Sequence, residues 1–311
     1  MTNTVLVLGA RGRLGGAVAQ AFAAAGWRVL AQRRSGRAVP AAGAGIEWVE
    51  AETGDTTALV RAAAGARVVV HAMNLAYTAA AWRAHAPGLM QAAIDVAAGL
   101  GAVLLFPGNV YNFGMDMPAL LSPDTPQRPS TEKGRNRVDL EEQLAQATRS
   151  RGIRAVVIRA GDFFGAGNGS WLDQVIVKKL PQGRVTWPGA LDAPHAWAYL
   201  PDLARAFVRV AETNPEQMDA RFEVLHFAGH TLTGQDWLAA LTGVAGEQGW
   251  LPAGGALRTG KLPWGMMRLV SPFSATVASL LEMRYLWDVP HALDGAALAG
   301  STGAETHTPF L

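Results

Sequence analysis

Through the first half of the chain, short apolar runs alternate with alanine-rich amphipathic stretches. That order predicts a parallel sheet covered by helices. Residues 5–8 are continuously apolar, as a strand buried on both faces requires. Leu14, Val18, Phe22 and Ala25 then recur at helical spacing, and Gly26 supplies a stop. Further strands are predicted at 28–31, 46–49, 68–70, 103–106 and 155–158. Helices are predicted near 56–64, 87–98 and 131–148, with Pro87 suited to the first turn of its helix. The prediction is an α/β fold, a Rossmann-type doubly wound parallel sheet, over residues 1–160.

After Ile158 the texture changes. Glycine and aromatic residues dominate 161–171, and tryptophans recur at 187, 197, 237, 250, 264 and 287. A strand at 222–227 and helices near 202–211, 234–241 and 274–283 are expected. Residues 161–311 therefore read as a smaller, mostly substrate-binding carboxy-terminal region, some of whose segments return to the sheet. Met266, Met267, Phe273, Met283 and Tyr285 lie in an amphipathic stretch between Trp264 and Trp287 and are expected mainly in its core. Turn residues at Ser122-Pro123-Asp124-Thr125-Pro126 and Pro129 predict an exposed loop before the helix at 131.

The sharpest local feature is Gly9-Ala10-Arg11-Gly12-Arg13-Leu14-Gly15, set between the first strand and the first helix. Glycines three apart allow a tight turn, close approach of backbone to a pyrophosphate, and close helix–sheet packing. The free amides and positive dipole end of the helix then face the anion. At the end of the second strand, where a carboxylate would bond an adenosine ribose hydroxyl, the chain has Gln32-Arg33-Arg34. Arginine grips a 2′-phosphate and a carboxylate repels it, so with Arg11 these residues favour NADP, with NAD as the alternative. The structural alternative is a solvated pair in a loop that also carries Arg37. Glu52 and Asp55 follow the third strand, where they either line the adenine or lie on the loop surface.

Charge and composition narrow the classes. Among 311 residues, 27 basic and 25 acidic side chains leave a net charge of +2, with no long block of one sign, which argues against nucleic acid as the partner despite a pI near 9.1. Half the residues are apolar and mean hydropathy is +0.12, enough to bury a large core. Cysteine is absent, which excludes disulfides, thiolate nucleophiles and cysteine-ligated metals. No apolar run reaches the ~20 residues of a membrane-spanning helix, and the first strand starts near Thr4; a cytoplasmic protein without membrane association is expected. No metal site is expected either: His226 and His230 are four apart, but the first lies in a strand and glycine intervenes.

The glycine spacing resembles that of the extended short-chain dehydrogenase/reductases, the NAD-dependent epimerase/dehydratase group. So do Val69-Val70-His71-Ala72, Val110-Tyr111-Asn112-Phe113-Gly114 and Ala198-Tyr199-Leu200-Pro201-Asp202-Leu203-Ala204. The resemblance covers most of the chain. It implies a bound dinucleotide running past Ala72 and Asn74, and often dimerisation through two helices, here 87–98 and 131–148. It also implies a serine or threonine after the fifth strand and a Tyr-x-x-x-Lys on the next helix, and here the sequence departs. The serine position falls on Pro107 or Gly108, and the tyrosine and lysine positions fall on Lys133 and Arg137.

Lys133 and Arg137 are four apart and share a helix face. Arg137 is expected to hold the nicotinamide ribose. Its charge would lower the pKa of Lys133 and make it a usable acid or base; the plain alternative is two surface cations paired with Glu132 or Glu141. Tyr111 is a second candidate proton donor, and Asn109 a candidate for orienting a carbonyl or water; Tyr77 is expected in the same cleft. His195 stands where it either touches substrate or is a satisfied loop histidine. These residues are consistent with an NADP-dependent oxidoreductase acting on a small carbonyl or alcohol. The alternatives are a nucleotide-sugar epimerase or dehydratase, and a dinucleotide-binding sensor without catalysis.

Overall fold

The structure, a computed structural model, describes residues 2–36, 45–213 and 221–310; Arg37 lies outside them. In its first half β1 (Thr4–Leu8), α1 (Arg13–Ala24), β2 (Arg28–Arg33), β3 (Ile46–Glu50), α2 (Thr56–Ala62), β4 (Val68–His71), α3 (Ala79–Leu100) and β5 (Val103–Gly108) follow one another. The short β6 (Leu120–Leu121), α4 (Glu132–Arg151) and β7 (Arg154–Arg159) complete that half. The second half contains β8 (Asp162–Phe164), β9 (Arg184–Trp187), β10 (His195–Tyr199), α5 (Leu200–Glu212), β11 (Phe222–His226) and β12 (His230–Leu232). Then come α6 (Gly234–Glu247), β13 (Arg258–Lys261), α7 (Trp264–Val270), α8 (Ala275–Glu282), β14 (Ala292–Leu293) and α9 (Ala296–Thr302).

Among the described residues a seven-stranded sheet runs β3-β2-β1-β4-β5-β7-β11 with every neighbouring pair parallel. This is the doubly wound Rossmann arrangement, in which the strand order reverses beside β1. Strand alternation divides the core in two. Val5 and Val7 face α1 and α5, packing with Phe22 and Phe207, while Leu6 and Leu8 face the other side with Met90 and Leu144. The carboxy-terminal half returns to the sheet through β11 and builds small sheets of its own, β12-β10-β8 among them. Trp187, Trp197, Trp237, Trp264 and Trp287 are buried in one aromatic core there.

Three expectations need correction. Pro87 does not open its helix: α3 begins at Ala79, where Thr78 caps by accepting from the Ala81 amide at 3.2 Å, and the alanine run carries the helix through the proline. Pro87 forfeits one helical hydrogen bond, while its carbonyl accepts from Gln143 on α4 at 3.3 Å. Helix α6 runs on past 241 to Glu247. The stretch from Trp264 to Trp287 is only partly core: Trp264, Met283 and Trp287 are buried, but Met266 and Phe273 are exposed.

Candidate active site at the carboxyl ends of the strands

The glycine turn is built by sterics. Gly9 has φ +80, and a Cβ there would lie 2.8 Å from the backbone of Ala72 and Met73 at the end of β4. A Cβ on Gly15 would lie 2.4 Å from the Gly9 carbonyl oxygen, so only glycine lets α1 pack this close to the turn. Gly12 caps α1 with extended backbone, with no side-chain cap and no acidic residue in the first turn. The amides and dipole of α1 therefore remain available to an anion. Gln32 braces the turn: buried, it accepts from the Gly9 amide at 3.2 Å and donates to the Ala51 carbonyl at 2.8 Å.

A cavity of about 630 Å³ opens beside the turn, lined by Gly9, Arg11, Gly12, Arg34, Thr53 and Asn74 among others. Arg33 also lines it, its guanidinium paired with Glu50. Glu52 is exposed and does not line the cavity; its carboxylate accepts from the Ser35 amide at 3.2 Å, and Thr53 takes the place expected for it. Asp55 caps α2 through the Ala58 amide. Gly12, Ala72, Met73 and Asn74 are shared with a second cleft of about 280 Å³ across the ends of β1, β4, β5 and β7. The two together form an elongated groove over the strand ends, the place where open α/β sheets bind ligands.

Tyr111, Asn109, Arg13, Leu14 and Arg137 all line this second cleft. Arg137 is fixed: it donates to the Pro107 carbonyl at 3.2 Å and its guanidinium lies 4.5 Å from the Trp82 ring. Arg13 donates to the carbonyls of Ala166 and Gly165 at 3.1 and 3.3 Å, with Asp173 at 4.0 Å, and so ties the second half of the chain to the turn. Asn109 accepts from the Tyr111 amide at 3.0 Å, which leaves its amide nitrogen for a ligand. The Tyr111 and Tyr77 hydroxyls are 3.3 Å apart. Burial raises the pKa of both, most strongly that of Tyr111, so both hold their protons tightly.

Lys133 is brought to the right helix but not to the cleft. Its side chain is fully buried, with Nζ 4.2 Å from the centroid of the Tyr77 ring; Tyr77, not Lys133, lines the cleft. Its pKa is lowered as expected, but the cause is burial, opposed by Glu282 and Glu132, rather than the Arg137 charge. The alternative pairing of Arg137 with Glu141 also fails, because Glu141 holds Arg159 in a buried bidentate ion pair.

Sequence reasoning missed one pair in the cleft. Oδ2 of Asp162, the first residue of β8, lies within hydrogen-bond distance of Nε2 of His195, the first residue of β10, at 3.0 Å. His195 lies in a strand rather than a loop, its ring stacked 4.7 Å from that of Trp287. Gly161 makes the approach possible, because a Cβ there would sit 2.1 Å from the Ala196 carbonyl oxygen. A signal existed: Asp162 lies just past the end of β7, at the ligand-binding edge of a parallel sheet. Among the described residues no group of three or more His, Asp or Glu side chains is placed to hold a metal ion.

Comparison with known proteins agrees with this architecture. The model of the NAD dependent epimerase/dehydratase family matches residues 5–222, and the chain belongs to that family. A putative epimerase from Burkholderia cenocepacia superposes with a TM-score of 0.76 at 17% identity, covering 99% of this chain and 94% of that one. UDP-glucose 4-epimerase from Brucella ovis, in complex with NAD, superposes at 0.72 with 18% identity, covering 98% and 94%. UDP-glucuronic acid 4-epimerase from Bacillus cereus, also in complex with NAD, gives 0.73 and 14%, again covering 98% and 94%. At these identities the likeness establishes the fold. Among curated proteins none matches this sequence.

Proposed function

We infer that the chain is an NADP-preferring oxidoreductase acting on a small carbonyl or alcohol, which the 161–311 region helps to recognise. The observation that carries this reading is the continuity of the glycine turn and arginine-lined cavity with a mostly apolar cleft of about 280 Å³. Gly9, Gly12 and Gly15 would cradle the pyrophosphate, Arg11, Arg33 and Arg34 the adenosine phosphate, and Ala72, Asn74 and Arg137 the nicotinamide half. The bound cofactor supplies hydride chemistry. The Tyr111 hydroxyl, neutral and paired with Tyr77, is suited to holding a carbonyl oxygen by donating a hydrogen bond. The same reading places the protein in the cytoplasm, as a homodimer joined through α3 and α4.

Calorimetry with NADPH and NADH tests the cofactor assignment. Tighter binding of NADPH is expected, and Arg34→Ala and Arg11→Ala should each weaken NADPH by about tenfold or more while leaving NADH nearly unchanged, as loss of a charge-assisted contact predicts. Equal affinities would reject the NADP preference.

A second reading, redox-neutral epimerisation of a nucleotide sugar, is supported by the family and by the named activities of its structural neighbours. It predicts epimer formation from UDP-glucose without net NADPH consumption.

A further inference from the structure

The proton donor for the proposed reaction is not among the residues that sequence alone put forward. Lys133 stands off the cleft, Asn109 does not titrate, and Tyr111 is held protonated. Arg13 and Arg137 are fixed cations engaged by backbone carbonyls. What remains among the titratable groups lining the cleft is Asp162 with His195. Resting on the oxidoreductase reading, we propose that Asp162 delivers the proton to the substrate carbonyl oxygen, and that His195 behind it is the positioning residue that stores that proton.

The hydrogen bonds carry this assignment. Nδ1 of His195 faces the Leu286 carbonyl at 3.1 Å, and a carbonyl only accepts. Nδ1 must therefore bear a hydrogen. Nε2 faces Oδ2 of Asp162 at 3.0 Å, and two bare lone pairs do not meet at that distance, so one further proton lies between them. The pair is thus one unit, either imidazolium with carboxylate or imidazole with carboxylic acid, and neutral overall in both forms. The Asp162 side chain is 20% exposed and that of His195 4%, so of the two Asp162 presents the larger surface to a ligand. Stacking on Trp287 and the Leu286 bond hold the imidazole in place.

The step balances. A reduced dinucleotide held in the groove would supply hydride to the substrate carbon and be oxidised; the carbonyl π pair would take the proton from Asp162 and become an O–H bond. The pair is left as neutral His195 facing a bare carboxylate. That is an unfavourable contact between two acceptors, relieved when a solvent proton restores the unit. In the reverse direction the same carboxylate accepts the alcohol proton. With Met73, Trp82, Phe106, Val110, Phe163 and Leu286 in its walls, the cleft suits carbonyls that carry an apolar group.

Other groups face this unit. Tyr111 and Tyr77 stay neutral because burial raises their pKa. The His291 ring lies 4.5 Å from His195 and is held neutral with a pKa of about 3, by burial first and by His195 second. Arg13 and Arg137 keep their charges.

The test uses the full chain with NADPH and the probes benzaldehyde, cyclohexanone and 4-carboxybenzaldehyde. Asp162→Asn should lower kcat by about 100-fold or more, the contribution of a general acid, with NADPH affinity by calorimetry unchanged. His195→Gln removes the stored proton, so kcat should fall by about tenfold or more with KM and NADPH affinity unchanged. Independently of turnover, the ring ¹⁵N resonances of His195 at pH 7 should shift in Asp162→Asn as the shared proton is lost. Retained kcat in Asp162→Asn, an unchanged kcat in His195→Gln, or unchanged His195 resonances would overturn the proposal while leaving the oxidoreductase reading intact. No NADPH oxidation with any probe would overturn both.

Discussion

The ammonium nitrogen of Lys133 lies 4.2 Å from the centroid of the Tyr77 ring, in a site closed to solvent and without a hydrogen-bond partner among the described residues. A cation in such a place gains from the ring face but loses its hydration, and burial accordingly lowers its pKa. Replacing it with an apolar side chain of similar length removes the unmet donors and keeps the packing. Lys133→Met should therefore raise stability by about 1 kcal/mol in urea denaturation. It should also retain NADPH affinity; a large loss of either would return Lys133 to the working site.

Two glycines of the turn should respond differently to the same change. Gly15→Ala places a methyl group 2.4 Å from the Gly9 carbonyl oxygen, and that atom is main chain and cannot move aside. A cost of about 1–3 kcal/mol and at least a tenfold loss of dinucleotide affinity are expected. At Gly12 the nearest atom would be 3.3 Å away and the backbone is extended, so Gly12→Ala should be milder in both. Thermal melts and calorimetry on the two variants check the order.

Arg159 and Glu141 form a buried bidentate pair, with Nη2 to Oε2 at 2.6 Å and Nε to Oε1 at 3.2 Å, beneath the Phe113 ring. Removing one partner strands the other charge. Glu141→Ala should cost about 3–5 kcal/mol in denaturant unfolding.

His71, His226 and His291 are buried and neutral, with pKa values lowered to about 3, 4 and 3, burial being the main cause in each. In the unfolded chain these side chains bind protons near pH 6.5. Below that value the unfolded state binds more protons than the folded one, and stability falls with pH until the folded pKa is reached. Each histidine contributes a slope of up to about 1.4 kcal/mol per pH unit in that window. Unfolding free energies measured between pH 7.5 and 4 should decline accordingly, and His291→Gln should flatten the decline by its share.

Much of the fold was legible because period and punctuation are local properties. The apolar run from Val5 to Leu8 and the glycine turn after it each depend on neighbours a few residues away. The start of α3 was misread because Pro87 is a strong local signal, overridden here by the Thr78 cap and the alanine run behind it. The short strands β8 and β10 gave little periodicity, being set by aromatic packing of Phe164 and Trp197 across the second half.

By itself the sequence determined the doubly wound sheet and the anion-ready turn, because backbone sterics and hydrophobic alternation act over single turns and strands. The tertiary structure alone decided which titratable groups share the cleft. Lys133 lies two residues into α4 and still falls behind Tyr77, while Asp162 and His195, 33 residues apart, meet because Gly161 lets two strands close together. Proton transfer depends on distances of about 3 Å, and such distances between remote residues are fixed only when the chain has packed.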